Sequence, residues 1–184
     1  MVFAFEKTVI PDIVIIKPNV IKDSRGSFIE TYKESEFRAH GITCQFHQEN
    51  ASISNKDVLR GLHYQLEPFE QGKLVSVSKG RVFDVAVDIR KESKYFQKWI
   101  GVELSGENKK MLWIPPGFAH GFLSLEDGST VIYKVTNEYN KESERGVAWN
   151  DPDINVKWPA VSPILSEKDS KHPFLRDAEV NFHC

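Results

Sequence analysis

The stretch Arg60-Gly61-Leu62-His63-Tyr64-Gln65 sets a guanidinium, a flexible glycine and a titratable imidazole side by side, and Lys73 follows after a short polar loop. Two later stretches carry groups that could meet them. Pro115-Pro116-Gly117-Phe118-Ala119-His120-Gly121-Phe122 brings His120, and the run from Val131 to Tyr139 brings Tyr133 and Tyr139. A histidine takes up a proton near neutral pH and a tyrosine hydroxyl gives one. Arg60 and Lys73 suit the oxygens of a phosphate. The chemistry these types support is proton transfer on carbon, with the basic side chains holding an anionic substrate.

Each role sets a demand on the fold. In a straight strand Arg60 and His63 face opposite ways. They converge only if Gly61 marks a bulge or if Arg60 reaches around the strand start. A histidine base needs a carboxylate to fix its tautomer and steady its cation. Asp84, Asp88 and Asp169 are the candidates, and spacing does not choose among them. Tyr133 lies between Val131 and Val135 on one strand face, so its ring also fits core packing. As a proton donor it belongs on the far side of a substrate from His63. Tyr139, in the following loop, offers a flat ring for stacking on a base or sugar. Taken singly, Lys73 also fits an exposed face and the aspartates fit solvent.

Other chemistries lack their residues. A jelly-roll metal site typically pairs two near-adjacent histidines with a carboxylate and a third histidine. Here Gln65 stands where the second histidine is expected, and no His-x-His occurs, so no metal is expected. There is no glycine-rich dinucleotide loop, P-loop or Gly-x-Ser-x-Gly elbow.

The elements that must position these residues are mostly strands. Val82 to Ile89 alternates most clearly: Phe83, Val85, Val87 and Ile89 face one way, Val82, Asp84, Ala86 and Asp88 the other. Leu74–Ser78, Trp99–Leu104, Met111–Ile114, Gly121–Leu125 and Val131–Thr136 read as further strands. Ile13 to Ile16, bounded by Pro11 and Pro18, reads as a strand near an edge. Ser27 to Tyr32 alternates after the turn Asp23-Ser24-Arg25-Gly26. Gln48, Asn50 and Ser52 line one strand face, where their side chains face solvent or a ligand. Ser35 is the expected cap of a short helical turn ended by Gly41. Ser166-Glu167-Lys168-Asp169 opens a small terminal helix. With no long amphipathic helix, these strands and their Gly/Pro/Asp turns indicate an all-β sandwich or barrel whose inner face can hold a ligand.

Size and composition agree. At 184 residues the chain suits one domain, 1–184, able to bury a core without staples. A net charge of −2 argues against a broad nucleic-acid surface. Cys44 and Cys184 make no disulfide framework. Met1 to Thr8 is no signal peptide, and no apolar run reaches the ~18 residues of a membrane span. A cytoplasmic protein that binds neither nucleic acid nor membrane is expected.

Together the stretches resemble the dTDP-4-dehydrorhamnose 3,5-epimerase family. The likeness runs from Asp23-Ser24-Arg25-Gly26-Ser27-Phe28 to Asp177-Ala178-Glu179, through Gln48-Glu49-Asn50-Ala51-Ser52, the His63 and His120 stretches and Leu165-Ser166-Glu167-Lys168-Asp169. The resemblance implies a cupin-like jelly-roll barrel with short peripheral helices, and a reaction on a dTDP-linked 4-keto-6-deoxy-hexose without cofactor or metal. It makes His63 the general base, Tyr133 the general acid and Asp169 the partner of His63, and puts Lys73 near the C4 oxygen. Arg25, Glu30, Gln48, Asn50, Arg60, His120, Glu144 and Lys168 match positions that contact the substrate or its diphosphate. Tyr139 matches the ring that stacks on thymine. It also implies a homodimer that exchanges N-terminal strands, with some contacts from the second chain. Epimerases that invert only one carbon share the same pair of groups. A metal-dependent cupin enzyme using His63 and His120, and a non-catalytic nucleotide-sugar binder, are the rival readings.

Overall fold

The computed structural model describes residues 2–160 and 162–183. Met1 and Cys184, which entered the leader and cysteine readings, lie outside the described residues. Among the described residues thirteen strands form: β1 (Phe3–Lys7), β2 (Val14–Pro18), β3 (Val20–Asp23), β4 (Gly26–Ile29), β5 (Gln48–Ser54), β6 (Leu59–Gln65), β7 (Lys73–Lys79), β8 (Arg81–Asp88), β9 (Trp99–Ser105), β10 (Met111–Ile114), β11 (Phe118–Ser124), β12 (Ser129–Val135) and β13 (Glu144–Gly146). The same residues form one short helix, α1 (Glu34–Ala39), and two 3-10 turns, Asp169–Lys171 and Leu175–Asp177, at the periphery.

Two antiparallel sheets face each other. One runs β1-β2-β10-β7-β12-β5 and the other β13-β6-β11-β8-β9, while β3 and β4 form a separate hairpin. This is the expected all-β, cupin-like jelly roll, built as two open sheets rather than a closed ring.

The core lies between the sheets. Val75, Val77, Leu112 and Val131 from the first meet Val82, Ala86, Leu104 and Phe122 from the second. Burying one such side chain is worth about 1.5–3 kcal/mol. The outer face of the five-stranded sheet is also covered, with Val85 and Val87 packing under Ile154, Leu175, Val180 and Phe182 of the C-terminal segment. On the outer face of the six-stranded sheet, Phe37 of α1 is fully buried against Phe3, Ile16 and Trp113.

The Ile13–Ile16 run does lie near an edge, one strand in: β1 forms the edge itself and pairs along one side of β2, and β10 pairs along the other. Pro18 sits at the strand end, where a missing N–H costs little. Several expectations are corrected. Ser35 caps nothing; Lys33 holds the N-cap position of α1 without a side-chain hydrogen bond, and burial of Phe37 anchors the helix instead. Asp84 and Asp88 are fully buried, because both faces of β8 are covered. The strand expected from Gly121 begins at Phe118, so His120 stands inside β11 and not on a loop.

Candidate active site

A cavity of about 510 Å³ opens between the sheets, and side chains from both walls line it. His63 and Arg60 come from β6, His120 from β11, Tyr133 from β12 and Lys73 from β7.

Gly61 makes the first wall work. His63 pairs with His120 and Arg60 with Phe122, so three steps along β6 oppose two along β11. That is a bulge, and it turns Arg60 and His63 into the same cavity. Gly61 has φ +128°, and a Cβ there would fall 2.5 Å from Gly121 Cα. Only glycine fits the conformation and the close approach.

His63 Nε2 lies 2.6 Å from Asp169 Oδ1. Asp169 is buried, and its backbone N–H donates to Ser166 Oγ at 3.0 Å, which pins the start of the 3-10 turn. Burial alone would push the Asp169 carboxyl up. The bond and charge of His63 outweigh that and hold it below the usual carboxylate range. In the neutral imidazole, Nε2 donating to the carboxylate leaves the lone pair on Nδ1, the nitrogen that can accept a proton.

The second wall faces this pair. Tyr133 pairs with Asn50 on one side and Val75 on the other, and Lys73 pairs with Val135. Burial raises the Tyr133 hydroxyl pKa; Arg60 opposes that rise and Glu144 adds to it. Lys73 is buried, and burial pushes its amine down to about 8, against the pull of Asp84 and Glu144. Asp84, set among the candidates for His63, instead meets His120 Nε2 at 2.9 Å. Asp88 binds Arg90 and Ser93, away from the cavity.

The mouth is a polar frame. Glu144 accepts from Tyr139 Oη at 2.6 Å and meets Lys168 Nζ at 2.5 Å. Burial would raise its carboxyl, but Lys168 and Tyr139 hold it low. Gln48, Asn50 and Ser52 line the cavity, so their strand face looks inward. Gln48 Oε1 accepts the Tyr139 N–H at 2.8 Å, and its amide donates to Asn50 Oδ1. Gln65 binds the backbone of Phe69, Glu138 and Asn140, fixing the loop that carries Tyr139.

Of the expected site residues, two stand apart. Arg25 lies on the β3–β4 hairpin, exposed and bound to Asp23, and Glu30 follows that hairpin, also exposed. Neither lines the cavity of its own chain. Conversely, His172 was not singled out from the sequence. Its ring stands perpendicular to that of His63, with centroids 5.4 Å apart. No periodic signal marks it, since it lies beyond the last strand.

Among the described residues, His63, Asp169 and His172 bring metal-ligating atoms within 4.8 Å of one another. The facing atoms of His63 and Asp169 are already bonded to each other, and His120 Nε2 is held by Asp84. The donors serve each other, which suits proton transfer better than ligation.

Fold and cavity together place the chain in the cupin-like jelly-roll class, with a polar, titratable cavity between its sheets. Residues 7–177 match the dTDP-4-dehydrorhamnose 3,5-epimerase family. The chain belongs to that family and is an epimerase of its class. It is 53% identical over 174 residues to dTDP-4-dehydrorhamnose 3,5-epimerase from Shigella flexneri, covering 94% of this chain and 96% of that one. Among solved structures it resembles dTDP-6-deoxy-D-glucose-3,5-epimerase RmlC from Legionella pneumophila Philadelphia 1, in complex with dTDP-4-keto-L-rhamnose. The TM-score is 0.92 at 46% identity, over 95% of this chain and 93% of that one. ChmJ, a 3'-monoepimerase from Streptomyces bikiniensis in complex with dTDP-quinovose, shares the fold at TM-score 0.87 and 30% identity, over 92% and 87% of the two chains.

Proposed function

We propose that the chain inverts C3 and C5 of dTDP-4-dehydro-6-deoxy-D-glucose to give dTDP-4-dehydro-L-rhamnose. The observation that carries the reading is the disposition of groups around one cavity: the His63–Asp169 pair on one sheet, Tyr133 and Lys73 on the other. The C4 ketone acidifies the hydrogens on its neighbouring carbons. His63 takes one, and the electron pair of the broken C–H bond moves onto the C4 oxygen as an enolate. Lys73 meets that charge as an ammonium. Tyr133 then protonates the opposite face, which inverts the centre. The Tyr133 phenolate then regains a proton from water, and the His63 imidazolium releases its own to water. A second round acts on the other carbon.

Arg60, His120, Gln48, Asn50, Glu144 and Lys168 hold the sugar and diphosphate, and Tyr139 stacks on thymine. Arg25 and Glu30 act in a homodimer, reaching the pocket of the second copy. Ile21 and Phe28 on the same hairpin are 57% and 63% exposed, as expected of a segment that packs on a partner. The chain works as one domain, 1–184, in the cytoplasm.

Proton NMR of the reaction in heavy water tests this. Deuterium at both C3 and C5 of the product is expected with the intact enzyme, and none with His63→Ala. Tyr133→Phe should still exchange deuterium, returned to the original face, while epimer formation falls at least about 100-fold. Exchange at C3 alone would point to a single-centre epimerase. Unchanged exchange in His63→Ala would remove His63 as the base.

A further inference from the structure

We propose that His172 is a positioning residue, seated in space that Gly146 leaves open, which braces the His63 ring against Asp169. The inference rests on the epimerase reading for its kinetic consequence only.

Gly146 is the cross-strand partner of His63, opposite it on β13. A side chain there would be the near neighbour of the imidazole across the ladder. The site has none. Instead the His172 ring fills the gap, and a Cβ on Gly146 would fall 2.3 Å from its Cε1. The ring arrives from the C-terminal segment and stands at 90° to His63. Its backbone is anchored on both sides. Lys171 N–H donates to Lys168 O before it, and Pro173 O accepts from Ala148 N–H after it.

One hydrogen bond leaves a ring free to swing about its point of attachment. The bond to Asp169 holds His63 at Nε2, and a perpendicular ring against its side restricts that swing. A base must hold its lone pair in line with one C–H bond, so a small loss of aim lowers the rate more than the affinity. The brace must also stay uncharged beside a histidine that becomes cationic in turnover. His172 Nδ1 is buried without a hydrogen-bond partner. Burial, and then the neighbouring His63, push the His172 pKa down.

Two substitutions separate shape from mere presence. His172→Ala should lower kcat about tenfold or more while leaving KM within about twofold. His172→Phe, which keeps a flat ring, should restore most of that loss. Gly146→Ala should act like His172→Ala by expelling the ring. The double variant should be less impaired than the product of the two singles, because both remove one contact. In the resting protein, the His63 Nε2–H signal in 15N-edited NMR should be sharp in the wild type and His172→Phe, and broadened by exchange in His172→Ala. Unchanged kcat and an unchanged signal in His172→Ala would overturn the proposal, as would a Phe variant no better than Ala or a multiplicative double variant. Absence of deuterium exchange by the wild type would instead refute the epimerase reading, while the NMR comparison would still judge the brace.

Discussion

His63 and Asp169 are 106 residues apart in the chain and 2.6 Å apart in space. The strand carrying the imidazole is bulged at Gly61, and the carboxylate sits at the head of a 3-10 turn tied down by Ser166. Asp169→Asn keeps the shape and removes the charge that holds the tautomer. We expect kcat to fall on the order of 100-fold or more with KM little changed. Steady-state kinetics on the keto-sugar would check this, and a kcat near wild type would deny Asp169 its role.

Lys73 should set an alkaline limit to the proposed reaction. Its amine is cationic below about pH 8 and neutral above, so kcat/KM should fall as pH rises through that value. The stability effect has the opposite sign. In the unfolded chain the amine keeps its proton to about 10.5. The unfolded state therefore binds more protons between these values, and stability rises with pH there. Below pH 8 the buried cation costs the fold on the order of 3 kcal/mol. Lys73→Met should thus be inactive, yet melt higher than wild type at pH 7, with the gap closing towards pH 10. A melting point unchanged by the substitution at pH 7 would contradict the burial cost.

Gly61→Ala places a Cβ 2.5 Å from Gly121 Cα at a φ of +128°. We expect a loss of about 3 kcal/mol, read by urea unfolding. The protein that remains folded should be impaired in catalysis, because straightening β6 turns Arg60 or His63 out of the cavity.

In the proposed homodimer, mixing two variants would decide where Arg25 acts. Arg25→Ala and His63→Ala should each be nearly inactive alone. If Arg25 serves the second copy, subunit exchange between them creates hybrids with one intact pocket, and about a quarter of the sites recover. If it serves its own chain, mixing restores nothing.

Much of the site was legible because its chemistry sits in short stretches. Arg60, His63, Lys73, His120 and Tyr133 all converge on the cavity. What stayed open depended on contacts across the fold. Alternation along β8 placed Asp84 correctly beside Val82 and Ala86, but could not reveal that both faces are covered or that His120 is its partner. The prolines flanking β2 placed it near an edge, where it is, but nothing local announces that β1 folds back along it as the edge strand. Ser35 had the right type for a cap, yet Phe37, through burial, decides where α1 sits. His172 could be found only by seeing the vacancy beside Gly146.

The two sheets carry opposite halves of the proposed machinery, and Leu112, Val131, Val82 and Leu104 fill the gap that separates them. That greasy filling therefore acts as a gauge block. Shaving a methyl group from it would shift the jaws of a vice whose workpiece is a single sugar ring. Lesions deep in the interior should therefore register twice, as slowed turnover and as a lower melting point.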